Sequence, residues 1–137
     1  MRETEESSYN ENRNLSACET LIMKTIWDAG EDISVPDLIA ALKAKYSKDY
    51  ARTTMATFLL KLSEKGFARV YRKGKLSYVY AIKSQEEYKR RLLQEETDFW
   101  YHGNAADMVS ALCSTGKLTR QDVDRIRRML DEQMDDT

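Results

Sequence analysis

The pattern of apolar and polar positions divides the chain into N-terminal helices, a short alternating stretch and C-terminal helices. Residues 1–14 are polar, lack apolar periodicity and are expected to form a flexible acidic arm. The run Ser16-Ala-Cys-Glu19 is typical of a capping box, so a helix is expected from there to about Gly30, which suits a left-handed helix end. A second helix is expected after Ser34, because the only proline of the chain, Pro36, stands in its first turn.

The next segment predicts a third helix over Ala51–Gly66, followed by a hairpin. One side of this helix carries an apolar stripe for a core, whereas the other side begins with small and hydroxyl residues. The chain then alternates as two strands around the turn Arg72-Lys-Gly-Lys75. Ala68 and Val70, and then Tyr78 and Tyr80, stand at alternate positions, as a half-buried ribbon requires. Two helices with a tight connection and a hairpin make a winged helix-turn-helix, which is predicted for residues 15–82.

After residue 82 the pattern changes to three short amphipathic helices, and residues 83–137 are predicted to form a dimerisation region. Such helices bury their apolar faces poorly against one another but readily against a second copy. The alternative is a small intramolecular core of three helices. The apolar side chains assigned to the dimerisation surface are Tyr88, Leu92, Phe99, Trp100, Met108, Leu112, Ile126 and Leu130. The whole fold is therefore expected to be mostly α, with a small β-hairpin as its wing.

The distribution of charge is more informative than the total charge, which is only −1 at pH 7. Residues 1–14 have a net charge of −2, residues 15–82 of +4 and residues 83–137 of −3. Residues 50–82 alone carry seven basic side chains against one acidic side chain, Glu64. A cluster of Lys and Arg is commonly just a solvated charged face. Because these cations coincide with the third helix and the hairpin, we favour the interpretation that they form a surface that binds a polyanion.

Double-stranded DNA is the polyanion that the third helix and the hairpin suit. Arg52 could reach a guanine edge or a phosphate, and Thr53 and Thr57 could reach base edges or phosphates. Ala56 leaves room for close approach or for a thymine methyl group, while Leu60 either packs under the wing or lies at the edge of the groove. The lysines and Arg72 are expected at the phosphate backbone. The predicted DNA-binding residues are Arg52, Thr53, Thr54, Ala56, Thr57, Lys61, Arg72, Lys73 and Lys75.

Catalysis and metal binding find little support in the residues. The single histidine, His102, stands beside three aromatic residues, and the five glycines are scattered rather than grouped in a phosphate-binding loop. The two cysteines, Cys18 and Cys113, show no metal-ligand spacing and are expected to be buried free thiols. Because these residues form no recognisable catalytic or metal-binding set, we expect that the protein is not an enzyme and uses no cofactor. Because no apolar run typical of a signal peptide or a membrane span occurs, we expect it to be cytoplasmic.

Between Leu15 and Leu130 the residues resemble the penicillinase repressor family (the BlaI and MecI repressors, with the copper-responsive CopY repressors). Each matching piece is short, but the order and spacing of the pieces together are fairly specific. The pieces are Leu15-Ser16-Ala-Cys-Glu19 with Met23 and Trp27, Thr53-Thr54 with Thr57, Leu59, Lys61-Leu62 and Lys65-Gly66, and Gly74 with Tyr78-Val-Tyr80.

The resemblance implies repression by a homodimer on a dyad-symmetric DNA operator. In the β-lactam-responsive branch it also implies release by proteolysis of the dimerisation region, through a membrane metalloprotease sensor. In the copper branch it implies metal binding by C-terminal cysteines. This chain departs from both patterns, because DEQMDDT contains no cysteine and no Asn-Phe pair occurs between residues 99 and 106. The alternative of another class is a winged-helix protein-interaction module that does not touch DNA.

Overall fold

The computed structural model describes residues 15–135, which form six helices and three strands. They are α1 (Ala17–Ala29), β1 (Ile33–Ser34), α2 (Val35–Tyr46), α3 (Arg52–Glu64), β2 (Ala68–Lys73), β3 (Leu76–Ala81), α4 (Gln85–Tyr101), α5 (Ala105–Ser114) and α6 (Arg120–Asp135). As predicted, the fold is mostly helical with a small antiparallel sheet, and its first part is a winged helix-turn-helix. The described residues fall into two compact units, unit 1 up to Glu95 and unit 2 from Glu96. None of the helices within residues 15–135 is long and apolar enough to cross a membrane.

Local capping determines where the first helices of unit 1 begin and end. Ser16 Oγ accepts from the amide of Glu19 at 3.1 Å, and Glu19 Oε1 accepts from the amide of Ser16 at 2.8 Å. Gly30 ends α1 in the left-handed conformation, at φ 72°. Ser34 starts α2, because its Oγ accepts from the amide of Asp37 at 3.2 Å. The predicted capping box, glycine end and serine cap are all confirmed.

The core of unit 1 joins α1, α2, α3 and the sheet. Its buried apolar residues are Ile22, Met23, Ile26, Leu38, Leu42, Met55, Leu59, Leu62, Phe67, Ala68 and Val79. Burying one large apolar side chain contributes about 1.5–3 kcal/mol. The apolar stripe of α3 is therefore held firmly inside, and this fixes the direction in which the opposite side of α3 faces.

The sheet has the strand order β1-β3-β2, and the hairpin of β2 and β3 is the wing. Its two-residue turn, Gly74-Lys75, uses the predicted positive φ of Gly74, at 65°. Val70 pairs with Val79 and Tyr71 pairs with Tyr78, and paired residues share one face of a sheet. Tyr78 and Tyr80 therefore lie on the opposite face from Ala68 and Val70, so these four residues do not form one half-buried face. The two-residue turn places Val79, which is buried, on the face of Ala68 and Val70 instead.

The first turns of α4 belong to unit 1, because Tyr88 packs against its core. The ring centroid of Tyr88 lies 5.5 Å from that of Trp27 and 5.7 Å from that of Phe67. Trp27 Nε1 also donates a hydrogen bond to the carbonyl of Lys83 at 2.9 Å. Tyr88, predicted for the dimerisation surface, thus packs within its own chain, and we do not include it in the surface proposed below.

An ion pair connects the start of α1 to the end of α3. Lys65 Nζ lies 2.7 Å from Glu19 Oε1, and the Glu19 side chain is only 2% exposed. Burial by itself would raise the pKa of Glu19, but hydrogen bonds from Lys65 and Ser16 outweigh it and lower the pKa below its ordinary value. Lys65 is therefore engaged in holding the fold.

Unit 2 consists of the end of α4 together with α5 and α6. Asn104 caps α5 by accepting from the amide of Asp107 at 3.0 Å, and Thr119 caps α6 by accepting from the amide of Asp122 at 3.1 Å. Although these helices are well capped, none of residues 96–134 is buried. The exposed large apolar side chains of unit 2 are Phe99, Trp100, Val109, Leu112, Met129, Leu130 and Met134.

Candidate nucleic-acid interface

The predicted DNA-binding side chains of α3 lie on the surface. The exposed ones are Arg52, Thr53, Thr54, Ala56, Thr57 and Lys61. They are held there because the other side of α3 buries Met55, Leu59 and Leu62. Tyr50, just before the helix, packs edge-on against Phe58 with ring centroids 5.3 Å apart. This contact holds the segment before α3 against the helix itself.

Within the described part of the chain, no side chain caps the N-terminal end of α3. Ala51, at the capping position, offers no side-chain acceptor. The other described helices begin at a serine, asparagine or threonine that accepts from a backbone amide. The first amides of α3 are therefore available to an external acceptor, and the helix dipole makes an anion such as a phosphate favourable there. Arg52 adds a full positive charge at the same point.

The hydroxyl of Thr57 is oriented by the helix itself. Its Oγ1 donates to the carbonyl of Thr53 at 3.1 Å, so only its lone pairs remain for a ligand. Phosphate oxygens can only accept hydrogen bonds, whereas adenine and cytosine present amino donors in the major groove. In this rotamer Thr57 therefore suits a base edge better than a phosphate.

A groove of about 490 Å³ runs between α3 and the wing, and the start of α2 also lines it. Three cations line this wing groove, Arg52 from α3 and Arg72 and Lys75 from the wing. Among the described residues that line it, none is acidic. The wing groove thus combines positive charge with an apolar wall, to which Leu60 belongs.

The structure divides the predicted site residues into two groups. Arg52, Ala56, Arg72 and Lys75 come together around the wing groove. The predicted site residues of α3 that lie outside the groove lining are Thr53, Thr54, Thr57 and Lys61. Lys73, at the end of β2, does not line the wing groove, although Leu76, with which it pairs, does.

Several residues of the wing groove were not predicted. Val70, Leu76 and Ser77 line it from the wing, and Val35 and Pro36 line it from the start of α2. The positions of Val70 and Ser77 could have been predicted from the two-residue turn at Gly74, because the turn fixes the register of the hairpin and so determines which residues share a face. The contribution of α2 depends on tertiary packing, for which a single sequence carries no local signal.

The cations of this surface are not neutralised inside the described part of the chain. Arg52, Lys61, Arg72, Lys73 and Lys75 form no ion pair with another residue of 15–135. On the outer face of the wing, Tyr71 Oη donates to Asp32 Oδ2 at 2.6 Å. This hydrogen bond raises the pKa of Tyr71 to about 12 and connects the wing to the segment before β1.

The side chains that commonly bind metals do not cluster within the described residues. Within 15–135, no group of three or more His, Cys, Asp or Glu side chains is placed to hold a metal ion. Both cysteines are free thiols, but the expectation that both are buried is wrong, because Cys18 is half-buried and Cys113 is exposed on α5. The arrangement that the structure does offer, exposed cations and hydroxyls beside an apolar groove, has the chemistry of a nucleic-acid interface.

A winged helix-turn-helix whose exposed helix and wing carry unpaired cations belongs to the class of DNA-binding regulators. More specifically, the chain belongs to the penicillinase repressor family, whose sequence profile matches residues 15–132. It is a transcriptional regulator, and the resemblance found in the residues is confirmed. A search among curated proteins finds no match.

Two solved structures are similar to this chain over most of its length. The hsRosR-SG complex has a TM-score of 0.50 at 12% identity, and the match covers 90% of this chain and 96% of that chain. RosR from H. salinarum has a TM-score of 0.49 at 12% identity, with 91% and 98% covered. At such identity the likeness to the hsRosR-SG complex shows the fold alone.

Proposed function

We propose that the chain is a homodimeric repressor that binds a dyad-symmetric DNA operator through α3 and the wing. One observation carries the proposal: unit 1 exposes the small and hydroxyl side chains of Thr53–Thr57 beside unpaired cations. Small side chains allow the helix to approach base edges, and free cations release counterions from phosphates. Membership in a repressor family supports repression, rather than activation, of transcription.

Base contacts and phosphate contacts are assigned to different residues. Arg72 and Lys75 on the wing, with the uncapped amides of α3, suit phosphates and set the position of the protein on DNA. Thr57 is assigned to a base amino group, and Arg52 to a guanine edge that its long side chain can reach. Lys61, outside the wing groove, is assigned to the backbone.

The proposed homodimer is supported by the exposed apolar side chains of unit 2. Seven large apolar residues between Phe99 and Met134 are exposed, and none of the described residues of this unit is buried. Covering such side chains contributes about 1.5–3 kcal/mol each when burial is complete. A two-fold dimer presents two copies of α3, which suits half-sites about 34 Å apart on one face of DNA.

Release of the repressor by proteolysis stays a prediction from the family resemblance. The feature that supports it is the exposed turn His102–Asn104, which connects α4 to α5 and in which His102 and Gly103 have positive φ angles. Non-helical exposed backbone is where proteases act most readily. A membrane metalloprotease sensor is the corresponding partner.

The proposal is tested by footprinting the DNA upstream of the gene that encodes the chain. We expect a protected segment with dyad symmetry, and binding that weakens as salt is raised. Arg52→Ala should weaken binding of this segment by about 1–3 kcal/mol if Arg52 contacts a base. Lys89→Ala is the matched control, because Lys89 pairs with Glu86 at 3.0 Å and is not part of the wing groove.

The outcome also separates the proposal from its alternative. If the folded protein protects no segment and shifts no duplex at low salt, the DNA-binding proposal is wrong and a protein-interaction module is favoured. If Arg52→Ala and Lys89→Ala weaken binding equally, DNA binding stands but the assignment of Arg52 to a base is wrong.

A further inference from the structure

Leu60 is the side chain of α3 that phosphate contacts do not explain. It is 61% exposed and lines the wing groove together with Val70 and Leu76, which are also exposed. Single exposed apolar side chains are ordinary, but three around one groove form an apolar patch. This patch is bordered by the cations Arg52, Arg72 and Lys75. Its ligand should therefore present both anionic and apolar groups.

We propose that Leu60 binds the C5-methyl group of a thymine in the major groove, an inference that rests on the proposed DNA-binding function. The thymine methyl is the apolar group that base pairs present in this groove. DNA supplies the anionic groups as well, since phosphates flank every base. The cations at the groove border and the apolar patch inside it thus match different parts of the same ligand.

The position of Leu60 along α3 fits this assignment. Thr53, Ala56, Thr57 and Leu60 recur at the spacing of one helix side, and all four are exposed. A rise of about 1.5 Å per residue places Leu60 about 4.5 Å beyond Thr57 along the axis. This distance is close to the spacing of about 3.4 Å between successive base pairs. If Thr57 faces one base pair, Leu60 faces the next.

The length of the Leu60 side chain, and the residue one turn beyond it, both fit a helix whose contacts with bases end at Leu60. A recognition helix contacts bases with its first turns and then leaves the groove floor, so a later residue needs a longer side chain. Leucine reaches farther than the alanine and threonines before it. One turn beyond Leu60 lies Glu64, which is exposed and whose carboxylate is repelled by phosphates.

The test combines a protein variant with a base analogue. Each thymine of the duplex protected in the footprint is replaced in turn by uracil, which lacks only the methyl group. For the wild-type chain, we expect one thymine per half-site at which uracil weakens binding about fourfold, the effect of removing one buried methyl-sized group. Leu60→Ala should bind the thymine duplex about fourfold less tightly and should no longer distinguish thymine from uracil at that position.

Ile82→Ala is the matched control, because Ile82 is also exposed, at 44%, but does not line the wing groove. It should bind both duplexes as the wild type does. If Leu60→Ala keeps the full preference for thymine, or if no uracil substitution weakens the wild type, the thymine contact is overturned while DNA binding stands. If no duplex is protected at all, the proposed function fails and this inference fails with it.

Discussion

Unit 1 and unit 2 use the same helical spacing of apolar residues in opposite ways. In unit 1 the stripes of α1, α2 and α3 meet, so that Ile22, Leu38 and Leu62 are completely buried. In unit 2 comparable side chains remain at the surface, with Trp100 63% and Leu130 58% exposed. An amphipathic pattern therefore predicts a helix in both units but does not say what covers its apolar side. Unit 1 covers it with its own chain, and we propose that unit 2 covers it with a second copy.

The largest expected effect is the loss of a core side chain of unit 1. Leu62→Ala should lower the free energy of unfolding by about 3–4 kcal/mol, because it leaves a cavity among fully buried neighbours. Urea unfolding followed by the fluorescence of Trp27, in a Trp100→Phe background, measures this change for unit 1. Leu112→Ala, at a half-exposed position of unit 2, should change the same quantity by less than about 0.5 kcal/mol. Equal losses would contradict the contrast between the units.

A charge on the apolar surface of unit 2 should weaken self-association. Leu130→Asp places a carboxylate where we propose apolar contact, and an unpaired buried charge is expensive. We expect the dimer dissociation constant to rise about 100-fold, or about 2.7 kcal/mol, measured by sedimentation equilibrium. Gln121→Asp is the matched control, since it adds the same charge at an exposed position of α6 that lies nine residues before Leu130, on the opposite side of the helix. A dimer that tolerates both changes equally would place the interface elsewhere.

A smaller effect is expected at the buried ion pair of unit 1, and it should depend on pH. Because the pKa of Glu19 is lowered in the folded chain, its stabilisation is fully present above its ordinary pKa of 4.5 and is lost as the pH falls through the folded value. Glu19→Gln keeps the shape but removes the charge, and should cost about 1–2 kcal/mol at pH 7. The cost should shrink towards pH 3 in urea unfolding series. A cost that is independent of pH would mean that the pair with Lys65 contributes through packing alone.

The parts of the fold that were predictable from the sequence are those that local chemistry determines. The capping box at Ser16, the left-handed Gly30 and the cap at Ser34 each depend on residues within one helical turn. The exposed side of α3 was equally predictable, since burial of Met55 and Leu62 fixes the opposite side. These features lie on elements long enough for their periodicity to be read.

What the sequence did not reveal depends on contacts between distant residues. β1 contains only Ile33 and Ser34, which is too short for alternation to show, and it exists because Ile33 pairs with Val79. Alternation alone does not say which face of β3 is covered, because this depends on the register, which pairs Tyr78 with Tyr71 and Val79 with Val70. The packing of Tyr88 and the start of α2 beside the wing groove likewise follow from tertiary structure.

The most direct test of the contrast between the units is the mass of the wild-type chain in solution, measured by light scattering at micromolar concentrations. A second copy on the apolar surface of unit 2 predicts a mass twice that of the 15.9 kDa chain. It also predicts two chains on each duplex that the protein protects. A mass of 15.9 kDa throughout this range, with one chain per protected duplex, would contradict the account.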